Sequence, residues 1–258
     1  DCALSLFSRG MDDWIGRCGE ASVFSLPKSL AVPDGGVLTF KSLVNDAGME
    51  LHPPRYADVL PNLLPLVKRD ILRKVRWFSG FQRFQTRNQS SFQGNLKEEF
   101  RPEMPKGYFF EERKKNWAMS RFSRGLLWVA DWQQIFERRR KNYLQLYETV
   151  NDCPGVKPLF QRLGDGVCPL CLPVWVSDRK EWCAYLRSAG ITVTPWWAGY
   201  HPQLSWNDYP EACALKNHVL ALPVHQDLDE ERIQYIALHV KRCASQLYHP
   251  LSGKDQGS

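Results

Sequence analysis

The chain has 258 residues, of which 43% are hydrophobic and 12% aromatic, with a formal net charge of +6. That apolar fraction is enough to close the core of one large or two smaller domains, and it excludes wholesale disorder. No apolar run reaches the length of a membrane span, since the run 59–67 is short and broken by Pro61 and Pro65. The chain opens at Asp1 without a Met, a signal peptide or a transit-like segment, and its eight cysteines are scattered. They read as reduced thiols of a cytosolic protein.

Residues 19–40 read as strand, tight corner, strand, with Pro33-Asp34-Gly35-Gly36 supplying the turn chemistry. Phe24-Ser25-Leu26-Pro27-Lys28-Ser29-Leu30 sets a lysine beside a proline between apolar residues. Apolar flanks that desolvate the stem of Lys28 would favour its neutral amine, a nucleophile toward carbonyls. Spacing alone favours the plainer alternative, an exposed lysine of a β-turn.

Pro53-Pro54 breaks the chain. Residues 63–84 then show helical spacing through Leu64, Val67, Ile71, Val75 and Phe78, and 85–107 read as a polar loop. Between 68 and 141, Lys and Arg outnumber Asp and Glu roughly two to one. Trp77, Phe78, Phe81, Phe84 and Phe92 interleave there with Arg73, Lys74, Arg76, Arg83 and Arg87. Such a mixture suits base stacking with phosphate contacts, or a partly apolar helical face at a subunit interface. No common RNA-binding motif accompanies it, so the interface is preferred and nucleic acid is not expected as a partner.

Residues 116–150 form the strongest helical stretch, as two helices meeting near Asp131 and ended by Asn151-Asp152-Cys153-Pro154-Gly155. From Cys168 the pattern turns α/β. A strand over 168–176 leads to a helix capped by Ser177-Asp178 and stopped by Ala189-Gly190. A strand over 191–196, a helix over 211–218, a strand over 219–224 and a last helix capped by Asp227 or Asp229 follow. Cys168-Pro169-Leu170-Cys171 has half the spacing of a zinc knuckle, but strand alternation separates its thiols and no second pair follows. No metal is expected. Trp196-Trp197-Ala198-Gly199-Tyr200-His201 leaves the second strand, where Trp197 and His201 are candidates for contact with a sugar or nucleotide. Packing is the plainer alternative for these aromatics. Residues 252–258 read as a disordered tail.

Asp1-Cys2-Ala3, Gly19-Glu20-Ala21-Ser22-Val23-Phe24-Ser25, Lys28 and Asp34-Gly35-Gly36 together resemble the nucleotide-sugar aminotransferases of the DegT/StrS type, which have the aspartate-aminotransferase fold (fold type I). Asn116-Trp117-Ala118-Met119-Ser120 resembles that family's Asn-Tyr-Arg-Met-Ser segment, and Arg138-Arg139-Arg140-Lys141-Asn142-Tyr143 its Arg-x-x-Asn-Tyr stretch. Leu220-Ala221-Leu222-Pro223-Val224-His225 with Leu228-Asp229-Glu230-Glu231 resembles its closing segment. The chain departs from the pattern at Ala118, which replaces an arginine, and at Leu4, where Gln or His packs on the cofactor ring. The interval from Ser25 to Lys28 is also short.

The resemblance implies an α/β fold: the end of a large cofactor-binding domain (1–55), a helical connecting region (56–150) and a small carboxyl-terminal α/β domain (151–250), with a tail over 251–258. It implies pyridoxal 5′-phosphate (PLP) held by the amine of Lys28, Asp1 against the pyridinium nitrogen, and Ser25 on the phosphate. A carboxylate there keeps the ring nitrogen protonated, so the ring can accept electrons. Asn116 would reach the phosphate of a neighbouring subunit, which implies a homodimer. The implied reaction is transamination of a nucleotide-linked keto sugar by an amino acid donor in the cytoplasm, with Trp197 and His201 near the substrate entrance. PLP-dependent sugar dehydration, or a non-catalytic basic scaffold that binds nucleic acid, are the alternatives. Family members carry a further half-domain before the aspartate, including a Gly-rich helix N-terminus that binds phosphate. The resemblance therefore implies a carboxyl-terminal portion with an incomplete pocket, inactive alone.

Overall fold

The computed structural model of the protein describes residues 1–10, 13–42, 50–78, 111–196, 200–201 and 203–247, without the side chains of 68–78. The described residues form two compact units. One takes in residues 1–78, 111–137 and 164–170, and the other 138–163 and 171–247. The expected loop over 85–107, the aromatics Phe81, Phe84 and Phe92 and the tail from 252 lie outside the described residues.

In the first unit β1 (Ala21–Ser25) and β2 (Gly36–Phe40) pair as an antiparallel ribbon, with Val23 opposite Leu38 and Ser25 opposite Gly36. A 3-10 turn over Leu26–Lys28 follows β1, which gives the strand, corner and strand read from the sequence. Leu26, Leu30 and Val32 are buried there with Leu6, Phe7, Val37, Met119 and Leu127 around them. On the ribbon itself Val23, Leu38 and Phe40 remain 53%, 47% and 44% exposed.

Helix α1 (Tyr56–Phe78) starts at Tyr56 rather than at residue 63 and carries Pro61 and Pro65 inside it. The helical spacing read from the sequence begins only at residue 63, yet the helix tolerates both rings, because the fixed φ of proline is that of a helix. Burial of Val59 anchors those first turns. Helix α2 (Arg121–Val129) and helix α3 (Trp132–Asn151) flank Asp131, as the spacing required. Ser120 caps α2 by accepting the Ser123 N–H, and Asp131 caps α3 by accepting the Gln134 N–H. Residues 116–118 are not helical: His52 and Trp117 form a parallel bridge, with the His52 N–H donating to the Asn116 carbonyl.

The second unit is built on a four-stranded sheet in the order β3 (Val156–Pro158), β4 (Cys171–Val176), β6 (Val219–Pro223), β5 (Thr194–Pro195), with every neighbouring pair antiparallel. Along β4, Leu172, Val174 and Val176 are fully buried, while Cys171, Pro173 and Trp175 are half-buried, the period-2 signature of a strand with one core face. Helices α4 (Arg179–Ser188) and α6 (Glu230–Leu247) supply Trp182, Leu186, Ile233, Ile236 and Val240 to the core, and α3 adds Tyr143, Leu146 and Val150. Helix α5 (Pro210–His218) leads directly into β6.

The expected caps are in place. Asp178 accepts the Lys180 and Glu181 N–H groups, and Asp229 accepts the Arg232 N–H. Gly190 stops α4 at φ +76. Three details differ from the sequence reading. The strand begins at Cys171, leaving Cys168 outside it. The strand expected over 191–196 shortens to Thr194–Pro195. Strand β3 was not foreseen, because three residues after a Pro-Gly turn carry no readable period.

One contact joins two motifs far apart in the chain. The Asn142 side-chain amide donates to the carbonyls of His225 (2.9 Å) and Leu228 (3.2 Å), and Arg139 Nε donates to Gln226 Oε1 (2.7 Å). Both residues are buried. They hold the loop that enters α6.

Leu222 is fully buried between β4 and the helices. Its replacement by Ala should lower unfolding free energy by about 3 kcal/mol, seen as a lower denaturant midpoint at unchanged m-value. Burial also pushes the Cys171 and Cys243 thiols up to about 12, from ordinary values of 9.0. A neutral thiol favoured by the fold stabilises fully below the unfolded value, and that stability is lost as pH rises through the folded one. The thermal midpoint should therefore fall between pH 9 and about 12, more shallowly in Cys243→Ala. An equal slope in that variant would contradict the assignment.

Candidate active site

The corner after β1 is a tight turn in which the Ser29 and Leu30 N–H groups both donate to the Leu26 carbonyl, at 3.0 and 2.8 Å. Leu26, Ser29 and Leu30 are buried, whereas Pro27 and Lys28 are exposed. This corrects the expectation that apolar neighbours cover the stem of Lys28. They bury themselves, and the amine faces solvent. Ser25, the last residue of β1, is half-buried opposite Gly36.

Asp1 lies beside the same strand, because the Cys2 N–H donates to the Val23 carbonyl at 2.9 Å. Its carboxylate is exposed and accepts the Ala3 N–H at 2.8 Å. Among the described residues no ion pair or hydrogen bond joins Asp1 to Lys28. Asn116 is exposed on the segment that bridges to His52. That segment reaches the corner through Met119, whose side chain packs on the buried leucines.

Gly35 makes that approach possible. Its φ is +115, and a Cβ built on it would stand 2.9 Å from Met119 Cγ and 3.2 Å from Leu26 Cδ1. Its carbonyl accepts the Leu26 N–H at 3.1 Å, closing the corner. The neighbouring Asp34 carboxylate accepts the Ser120 N–H and the Ser123 hydroxyl, at 2.9 and 2.8 Å. Two motifs read separately in the sequence, Asp34-Gly35-Gly36 and Asn116 to Ser120, thus meet at one place.

His201 belongs to the second unit and is exposed. Trp197 lies outside the described residues. The Gln203 N–H donates to His201 Nδ1, and the Trp206 indole N–H donates to the His201 carbonyl. Beside this loop Lys216, only 8% exposed, places its Nζ 4.9 Å from the Tyr200 ring and 5.0 Å from the Trp206 ring. Burial pushes its ammonium below the ordinary lysine range, and the Arg179 charge adds to the effect. Attraction to the two ring faces favours the charged form in return. Sequence reading missed this box, since its three members meet only when α5 folds back on the 3-10 turn Trp206–Asp208. Among the described residues no cluster of His, Cys, Asp and Glu is placed to hold a metal, and no helix is long and apolar enough to cross a membrane.

No protein-family model matches the sequence, and no curated protein matches it. Solved structures do match the fold. A Streptococcus pneumoniae protein described as a sugar aminotransferase, in its PLP form, superposes with a TM-score of 0.58 at 15% identity over 96% of this chain and 58% of its own. A DegT DnrJ EryC1 StrS aminotransferase of Brucella abortus gives 0.55 at 14% identity, over 94% of this chain and 56% of its own. Helicobacter pylori PseC, an aminotransferase of pseudoaminic acid biosynthesis, gives 0.54 at 16% identity, over 95% and 59%. The likeness shows the fold, and the α/β aminotransferase architecture expected from the motifs is the one observed. The chain spans less than three-fifths of each of these structures.

Two glycines give a controlled comparison. Gly35→Ala should cost about 1–3 kcal/mol, because a non-glycine residue is strained at that φ and meets Met119. Gly125→Ala, inside α2 with open space around it, should be stabilising by up to about 1 kcal/mol. Denaturant titration of the two variants checks the difference in sign.

Proposed function

We propose that the chain is part of a PLP-dependent aminotransferase that transfers an amino group from an amino acid to a nucleotide-linked keto sugar. The observation that carries this reading is the corner itself. There Asp34-Gly35-Gly36 and the segment Asn116 to Ser120, two of the stretches that carry the family resemblance, meet beside the turn that bears Lys28, in a fold shared with solved aminotransferase structures. The donor set fits the cofactor: an accessible amine, the half-buried Ser25 hydroxyl at the strand end, and an exposed carboxylate at Asp1 beside that strand. Bound there, PLP supplies an electron sink for the carbon that exchanges its amino group.

In this reading Lys28 is the residue that would hold the cofactor, and its Nζ would take and return the proton moved during transfer. Asp1 would pair with the ring nitrogen and keep it protonated, and Ser25 would offer its hydroxyl to the phosphate. Asn116 offers its exposed amide to the phosphate of a second copy, so the working form is a homodimer. Trp197 and His201 are proposed as the residues that would contact the sugar. None of the eight cysteines is in a disulfide, which suits the reducing cytoplasm.

The test is chemical trapping. The protein is incubated with PLP and reduced with borohydride, and the modified lysine is mapped by mass spectrometry. Label on the Lys28 peptide is expected, together with loss of the PLP absorbance band in Lys28→Ala. Label absent, or spread over other lysines, would remove the reading.

A further inference from the structure

We infer that Asp34 is a positioning residue that couples the corner carrying Lys28 to the segment carrying Asn116. Its Oδ1 accepts two bonds at once, from the Ser120 N–H (2.9 Å) and from the Ser123 hydroxyl (2.8 Å). Ser123 Oγ, having given its hydrogen to the carboxylate, is left as an acceptor. It takes the Asp34 backbone N–H at 3.3 Å and the Ser120 hydroxyl at 3.3 Å. Ser120 Oγ in turn accepts the Ser123 N–H at 3.2 Å. Every hydrogen in this set has one destination. Both serines are buried, so water does not compete for these bonds.

The network sits between two parts of the chain that must hold one spacing. On one side Asp34 is bonded to Gly35, whose carbonyl accepts the Leu26 N–H, and Leu26 is the start of the turn that ends at Lys28. On the other side Ser120 follows Met119 and ends the segment that begins at Asn116. A helix cap alone needs only the Ser120 side chain. A carboxylate that recruits the cap residue's own N–H from 86 positions away does more than cap. It sets where the Asn116 segment runs relative to the turn.

The inference rests on the function proposed above, in which Lys28 serves one cofactor and Asn116 reaches toward another. In that reading the bonds of Asp34 hold the lysine corner and the Asn116 segment at one spacing.

Backbone amide exchange of the whole chain tests the coupling without any cofactor. In Asp34→Ala, exchange should quicken roughly tenfold or more both at Met119 to Ser123 and at Leu26 to Leu30, the scale of a lost charge-assisted hydrogen bond. Asp34→Asn keeps an oxygen able to accept both bonds but not the charge, and should fall between wild type and Asp34→Ala. Ser123→Ala, which keeps the carboxylate, should move the same two segments by less. The borohydride trap adds a second readout: Lys28 labelling at limiting PLP should fall in Asp34→Ala and recover in part in Asp34→Asn. Faster exchange confined to 119–123, with the corner unchanged, would overturn the inference. So would Asp34→Asn behaving like Asp34→Ala. A wild-type protein that takes no PLP at Lys28 sinks the proposed function, while the exchange pattern still decides the coupling.

Discussion

The burial of Leu26 and Leu30 on either side of Lys28 is the constraint from which the site follows. The two leucines stand one turn apart, closed by a bond from the Leu30 N–H to the Leu26 carbonyl, so both enter the same small core. The lysine between them has to leave on the opposite side. Magnitudes leave little choice. Burying each leucine is worth about 1.5–3 kcal/mol, whereas burying an unpaired ammonium costs several kcal/mol. An exposed amine on a stiff turn is what remains. Gly35 and Met119 belong to the same constraint, because the core closes only where a residue without Cβ lets the methionine in.

The second unit is ordered by a different interaction. A loop entering a helix leaves backbone carbonyls inside the protein that the sheet cannot pair, and unpaired buried carbonyls are costly. The Asn142 amide donates to Leu228 and to His225, whose carbonyl also accepts the Leu228 N–H, while Arg139 fixes the Gln226 side chain between them. The two helical positions are one turn apart on α3, so one face of that helix serves the whole loop. This gives the Arg-x-x-Asn-Tyr and Leu-Pro-Val-His motifs a shared structural purpose: each is the other's partner.

Where the sequence carried a period or a cap, the fold was readable from it. Alternation along 171–176, the caps at Asp178 and Asp229 and the glycine stop at Gly190 are local signals, and tertiary packing agrees with each. The start of α1 lay seven residues before the readable spacing, because the apolar period begins at Leu64 while the first turns are anchored by Val59 alone. The orientation of Lys28 was not readable, since apolar flanks can cover a lysine or turn away from it, and only the turn geometry decides. The bonds of Asp34 were hidden for another reason. They join residues 86 and 89 positions apart, and no local pattern announces them. The box around Lys216 is of the same kind, assembled from a loop, a 3-10 turn and a helix.

The ribbon of β1 and β2 turns Val23, Leu38 and Phe40 toward solvent, on a pair of strands too small to be stable without packing. Exposed apolar side chains on paired strands attract one another between molecules. The opposing force is the mutual repulsion of molecules carrying a net charge of +6. Salt shortens the reach of that repulsion to about 8 Å at physiological ionic strength, while it leaves the apolar attraction in place. Ionic strength therefore sets how well this chain stays dispersed when concentrated.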